Sequence, residues 1–523
     1  MQVVGHFTVE DLVLRTAGGN LVTSAAADGL WEGALQVLRP LLNAELEAWS
    51  NASQIYLVVD FFGLFKQTVH RLGYATNTGL DAFTEAAVAK YHRLLLEETY
   101  HEVEAAVRRD DFTRATVAST ERYHREVESL GLGYPGTPRP RHFPWQAAHS
   151  SMVPAAMKAF LGYLEEVVSV LRGMTPEEAM ISARKQRDAL LTRVLHGALL
   201  PLVSGQPRGQ ASGQQSELSV AHCMQMVSNA ESWARAAPLL DTASRARCWG
   251  AAPPPPPSAP DRTATAATAA TTNPSPSSST SSTSSASSTS TPVVMFGRLR
   301  RAASEQLRSR LRSQVRPLLA AWAAQDGTPD TCPTTHSPAA AGLLAAMEAT
   351  VRDARHLLPP PACAALQEEM VRQIGGGLMR PFLGTGDPPE SGGSSWRWGY
   401  NGHAVVRLRM DCALLAAFLR HLGRGGGGES EAMAASLEEP SQLCALLLEG
   451  DPRRIEVERI RSANFRSLST PRLIAALEGY RDVAGTSYFY GRGAPKYVLR
   501  REVEALVGAL RREESGAEAT EAL

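Results

Sequence analysis

Residues able to do chemistry are few in this chain, and they stand at unhelpful spacings. His101-Glu102 opens like the paired-histidine helix of a zinc protease, but Ala105 occupies the position of the second ligand histidine. His92, Glu97, Glu98 and His101 fall within three helical turns, yet they read as the ordinary charged face of a helix rather than as a metal site. The stretch Gly479 to Ser487 ends in Gly485-Thr486-Ser487 with a faint look of a phosphate loop. It lacks the lysine, its spacing is wrong, and no apolar strand precedes it. The glycines at 375–377 and 425–428 have neither dinucleotide-binding spacing nor a βαβ context, and there is no G-x-S-x-G elbow. Cys223, Cys248, Cys332, Cys363, Cys412 and Cys444 lie far apart with no C-x-x-C pair. That excludes a zinc ribbon, a redox motif and a disulfide framework, and points to a reducing compartment. The sequence therefore predicts no catalytic, cofactor or metal site.

One charge feature stands out. Arg298, Arg300, Arg301, Arg308, Arg310, Arg312 and Arg316 crowd one expected helix against a single acid, Glu305. Arg308, Arg312 and Arg316 are one turn apart and define a candidate patch for an anionic membrane surface. The competing reading is a solvated helix face whose arginine stems cover neighbouring apolar surface. Across the chain, Lys+Arg and Asp+Glu are both 53, so the net charge is zero. A nucleic acid partner held by bulk charge is not expected. The N-terminus has no basic region followed by an apolar run, so it does not read as a signal peptide. The longest apolar stretch, Ile55 to Phe65, is short and carries Asp60. Any membrane role is expected to be peripheral.

The elements that would position these residues are helical. Ala, Leu, Arg and Glu dominate outside one biased segment, and strand-favouring runs are scarce. Trp31, Leu35, Leu38, Leu42, Leu46 and Trp49 line one face, with Pro40 an expected kink or break. Val153, Met157, Phe160, Leu164, Val167 and Leu171 alternate in steps of four and three. Thr175-Pro176-Glu177-Glu178 has the pattern of a capping box that starts the next helix. Leu307, Leu311, Val315 and Leu318 form another stripe, and Leu499, Val503, Leu506 and Leu510 a last one. The fold expected is all-α, an elongated rod of antiparallel bundles in series. At 523 residues several units are required: bundles over 1–140, 141–249, 293–395 and 396–523, with a disordered Pro/Ser/Thr-rich linker at 250–292.

Beyond composition, short motifs in order resemble the Sec-fifteen subunit family of the exocyst, the octameric complex that tethers secretory vesicles to the plasma membrane. They are Val4 to Leu14; Leu30-Trp31-Glu32 with Ala34-Leu35; Asp60-Phe61 with Leu64-Phe65; Glu121 and Tyr123; Phe143-Pro144 with Met152-Val153-Pro154; and Leu190 to Leu195. After the linker come Phe296-Gly297-Arg298 and Met410-Asp411 with Leu415 and Phe418. No single motif is specific, but their colinearity is. Two features depart from the family. Its long N-terminal coiled-coil region has no counterpart before Met1, so the chain reads as the central and C-terminal part, and the 250–292 segment is unlike it.

The resemblance implies a non-enzymatic rod, cytoplasmic and peripherally associated with secretory vesicles and plasma membrane. It implies other exocyst subunits as partners, and a Rab-family small GTPase in its GTP form bound by the C-terminal bundle. The helix expected to carry that contact holds Arg409, Met410, Asp411, Leu414, Leu415 and Phe418. Together with Leu408, its apolar residues are too many for one narrow buried stripe, so part of it is expected to face outward; a fully buried helix explains the same residues. Arg409 stands where animal members carry asparagine, which puts the identity of the GTPase in doubt. The alternative is another all-α tethering or scaffold subunit, or a helical adaptor without GTPase binding.

Overall fold

Stretches with an apolar residue every third or fourth position become helices in the computed structural model. It describes residues 9, 12–13, 16, 24–71, 78–134, 138–171, 175–204, 218–249, 292–383, 399–423, 437–449, 461, 464–483 and 498–521. The expected linker at 250–292 lies outside these residues except for Pro292, which is buried and opens a helix. Contacts group the chain into two compact units, Met1–Gln215 with Asn229–Ala302, and Ser216–Ser228 with Ala303–Leu523. This is a coarser division than the four bundles expected.

In the first unit, α1 (Ser24–Ala48) and α2 (Ala52–Arg71) both pack on the long α3 (Thr78–Arg109). Trp31, Leu35, Leu46, Ile55, Phe62, Phe65, Phe83 and Tyr91 are buried together there. Lys90 of α3 donates from Nζ to the carbonyls of Leu46 (2.5 Å) and Glu47 (2.8 Å). It thereby satisfies carbonyls that the end of α1 leaves unpaired, with a charge of the favourable sign. Pro40, where a kink or break is expected, lies inside α1, which runs on through it. Its ring is exposed, so the carbonyl deprived of an amide partner is on the wet side.

The next helices follow the sequence closely. Along α4 (Met152–Val170), Val153, Met157, Phe160, Leu164 and Val167 are buried, as is Leu171 just beyond it. The capping box of α5 (Pro176–Val194) forms as expected: the Thr175 amide donates to Glu178 Oε2 at 3.1 Å, and the Glu178 amide to Thr175 Oγ1 at 3.4 Å. A π-turn, Leu195–Leu199, continues α5. Here a Cβ on Gly197 would stand 2.8 Å from the Tyr100 ring, so only glycine admits this approach. Among the described residues the sheet content is one antiparallel pair, Thr116–Val117 with Trp145–Gln146. Strands of two residues are too short to leave a period in the sequence. Asn229, on α6 (Val220–Trp249), and Ser150 bond reciprocally, Ser150 N to Asn229 Oδ1 at 2.8 Å and Asn229 Nδ2 to Ser150 Oγ at 2.9 Å.

In the second unit, α7 (Pro292–Ala323), from Ala303 onward, buries Leu307, Leu311 and Val315. It is followed by α8 (Pro338–Leu357), α9 (Pro360–Met379), α10 (Gly402–Gly423), α11 (Glu438–Glu449), α12 (Thr470–Glu478) and α13 (Arg500–Glu521). Helix α13 buries Val503, Leu506 and Leu510. Gly479, from the stretch with a faint look of a phosphate loop, does structural work: its carbonyl accepts from the Tyr400 amide at 2.9 Å, and the Arg481 amide donates to the Tyr400 carbonyl at 2.7 Å. Residues 484–487 lie outside the described part. Gly399 has φ 102° and would drive a Cβ into the Gly479 carbonyl, which requires glycine there.

Two buried histidines make the first unit sensitive to acid. His92 and His149 are both held down to about 4 by burial, against an ordinary value of 6.5. The unfolded chain takes up these protons near pH 6.5 and the folded chain near pH 4. Stability present above 6.5 is therefore lost as pH falls through that window, on the order of 3 kcal/mol per histidine once complete. Urea midpoints should fall between pH 7 and pH 5, and the slope should flatten in a His92→Gln/His149→Gln variant. A wild-type midpoint constant over that range would show that neither imidazole is buried neutral.

Candidate functional site

Helix α10 begins where Asn401 caps it, accepting the Ala404 amide on its side-chain oxygen at 3.1 Å. Asn401 Nδ2 in turn donates to the Pro329 carbonyl at 3.1 Å, and His403 Nδ1 lies 2.9 Å from the same oxygen. This anchorage sets the rotation of the helix. Leu408, Asp411, Cys412, Leu415 and Leu419 point inward, Arg409 is exposed, and Met410, Leu414 and Phe418 are half-buried along one line. The expectation that α10 carries more apolar residues than one buried stripe can take is met by this second line.

Asp411 and Leu415 are 0% exposed, so the residues of the candidate contact reduce to Arg409, Met410, Leu414 and Phe418. Asp411 instead accepts from Trp322 Nε1 at 2.7 Å, from the Ser337 amide at 2.7 Å and from Ser337 Oγ at 2.8 Å. Ser337 is itself the N-cap of α8, with Oγ accepting the Ala340 amide at 3.1 Å. Three donors make a buried carboxylate tolerable. Next to it, burial and the Asp411 charge push the Cys412 thiol up to about 12, so it is not a nucleophile.

Phe418 borders a groove between α8 and α10 with a volume of about 580 Å³, lined also by Glu348, Val351, Arg352, Arg355, His356 and His421. Val351 and Phe418 are its apolar lining, and Arg352 and Arg355 outnumber the acid Glu348 at its rim, which suits a partner surface that brings an apolar side chain flanked by carboxylates. Reading the sequence missed this groove. Arg352, Arg355 and His356 at i, i+3 and i+4 are a signal for one charged face, but not for which helix lies beside it.

The basic helix is α7. Arg308, Arg312 and Arg316 are all exposed. Arg308 and Arg312 share Glu305 at 3.3 and 3.8 Å, and Arg312 also lies 3.6 Å from Glu369. Part of the charge is thus answered within the protein. The residues weighed as metal ligands diverge: His92 is buried, His101 is exposed 3.6 Å from Glu104, and Glu97 pairs with Arg193 at 3.3 Å. Among the described residues no three His, Cys, Asp or Glu side chains gather into a metal site. None of Cys223, Cys332, Cys363, Cys412 and Cys444 is joined in a disulfide.

The family model described as "Exocyst complex subunit Sec15 C-terminal" matches residues 79–478. The chain is 28% identical over 220 residues to Exocyst complex component SEC15B of Arabidopsis thaliana, 42% of this chain and 27% of that protein. It is 27% identical over 206 residues to Exocyst complex component 6 of Rattus norvegicus, 39% of this chain and 25% of that protein. The match thus spans about a quarter of the length of these relatives. A solved structure of the C-terminal domain of the exocyst subunit Sec6p aligns over 85% of this chain and 95% of that one, with a TM-score of 0.41 and 8% identity.

The Asp411 network yields a stability test. Asp411→Ala strands three buried donors and should cost about 3 kcal/mol, Trp322→Phe about 1 kcal/mol, and Arg409→Ala less than about 0.5 kcal/mol. Guanidinium unfolding of the three variants measures this order. Equal midpoints for Asp411→Ala and Arg409→Ala would remove Asp411 from its role in the core.

Proposed function

Because the chain belongs to the exocyst Sec15 family, we propose that it is a non-enzymatic subunit of the exocyst vesicle-tethering complex, and that α10 recognises a Rab-family GTPase in its GTP form. The observation that carries the second half is the half-open line Met410–Leu414–Phe418, with Arg409 beside it and the groove lined by Arg352 and Arg355 at its end. GTP orders the switch loops of such a GTPase. A fixed apolar line with charged flanks discriminates an ordered surface from a mobile one, since a mobile one must first lose its conformational entropy to bind. In this reading the chain docks secretory vesicles at the plasma membrane together with other exocyst subunits, held peripherally. Among the described residues no helix is long and apolar enough to cross a membrane.

The test compares GTP-locked and GDP-locked Rab proteins as baits for the full chain. Arg409→Glu and Leu414→Asp should each reduce the GTP-dependent signal at least tenfold while helicity is kept. An Asp411→Arg variant, attractive from sequence alone, is excluded because it replaces a buried acceptor by a cation that faces three stranded donors. Equal binding to both nucleotide forms, or full binding by both variants, leaves a scaffold without GTPase recognition.

The α7 patch is proposed as a contact for anionic lipid, with Arg308 and Arg316 carrying it, since Arg312 is shared with Glu369. Arg308→Glu with Arg316→Glu should abolish co-sedimentation with phosphatidylserine vesicles at low salt, where the attraction is strongest. If the wild-type chain ignores such vesicles, the arginines are a solvated face.

A further inference from the structure

An arginine three residues before a serine or threonine gives an arginine-directed protein kinase the cation that its acidic substrate cleft pairs with. Among the described residues this spacing occurs at Thr175, Ser304, Ser313, Ser469 and Ser515. Ser304 and Ser313 lie inside α7 and Ser515 inside α13, where the chain cannot lie extended in a kinase cleft. Thr175 Oγ1 is committed to its capping box, 2.8 Å from Glu178 Oε2. Ser469 is different. It precedes α12 with φ −65° and ψ 147°, already extended, and its hydroxyl makes no capping bond. It is also exposed.

The charges on either side of Ser469 suit both recognition of the hydroxyl and use of a phosphate. Arg466, three residues before, has 71% of its side chain in water. The loop before Ser469 is tied to side chains of α11: Ser467 Oγ donates to Glu438 Oε2 at 2.9 Å, the Ser467 amide to Gln442 Oε1 at 3.1 Å, and Arg466 Nε to Glu438 Oε1 at 3.2 Å. A kinase needs these ties and the buried Leu468 to open locally, which costs less than global unfolding. Arg472, three residues after Ser469, is at the third position of α12, and its Nε lies 2.7 Å from Glu439 Oε1 on α11. A side chain at that position reaches back to the N-cap, as Glu178 does to Thr175.

We propose that Ser469 is a phosphorylation site for an arginine-directed serine/threonine kinase, and that its phosphate draws Arg472 from Glu439 and so frees the start of α11. In the transfer, Ser469 Oγ attacks the γ-phosphorus of ATP held by the kinase. The Oγ–P bond forms, the bond from that phosphorus to the β,γ-bridging oxygen breaks, ADP leaves, and the hydroxyl proton passes to a carboxylate of the kinase. The product carries about two negative charges at pH 7 and can take a guanidinium through two oxygens. Burial raises the Glu439 carboxyl above its ordinary value, and Arg472 opposes that rise, so Glu439 is the weaker acceptor of the two. The site lies off α10 and off the α7 patch, and rests on neither GTPase recognition nor lipid binding.

The test uses the purified full chain, magnesium ATP and the catalytic subunit of cyclic-AMP-dependent protein kinase, with the modified residue located by mass spectrometry. Ser469 should take the phosphate, and Arg466→Ala should slow its incorporation about tenfold with circular dichroism unchanged. Hydrogen exchange reads the consequence. Amides of residues 441–445 should exchange about threefold faster in the phosphorylated chain. Arg472→Ala should show the same rise without phosphate and no further rise with it. A chain left unmodified at Ser469, modification there only after heat unfolding, or an Arg466→Ala variant modified as fast as the wild type would overturn the site. Exchange unchanged by the phosphate would overturn the release of α11.

Discussion

A carboxylate with no exposure to water survives in a protein interior only if donors replace the water it lost, and Asp411 has three of them. They come from the end of α7 and from the residue that starts α8. One side chain therefore holds three helices of the second unit in register: Trp322 cannot move without stranding its indole N–H, and Ser337 cannot move without uncapping α8. The same bonds set how α8 and α10 face each other, and with that the walls of the groove beside Phe418. Removing the acceptor would cost the fold more than it would cost any contact on the surface. Stability and the candidate site are coupled through this one group, which is why surface variants, and not Asp411, separate binding from folding.

The balance of acidic and basic residues conceals a division of charge. Arg352 and Arg355 stand at the α8–α10 groove against one acid, Glu348, and exposed arginines run along α7, whereas Glu45, Glu47 and Asp60 are exposed on α1 and α2. At physiological salt, exposed charges more than about 8 Å apart hardly feel one another. A partner therefore meets the local sign and not the sum. A chain with no net charge can in this way offer surfaces that select partners of opposite character.

Within the first unit, α3 is the element on which the rest is laid: α1, α2, α4 and α5 all pack on it. That role constrains its chemistry. Lys90 is buried where it serves the last carbonyls of α1, and His92 is buried and kept neutral. Lys90 is tolerated because the two carbonyls replace the water it lost, and His92 because burial keeps it uncharged.

The sequence by itself determined the all-α class, the stripes of α4, α7 and α13, and the capping box at Thr175, because each depends on residues within one or two turns of one another. It also marked α10 as having too many apolar positions for one stripe. Only the tertiary structure decided which of them face inward. Asp411 shares a face with Leu408 and Leu415, but its donors Trp322 and Ser337 lie 89 and 74 residues away in the chain, so nothing local announced a buried acid. Nor did it announce that α1 would run on through Pro40, or that α8 would wall the groove beside Phe418. Helix spacing defines the faces of a helix; which face loses its water depends on what distant segments bring against it.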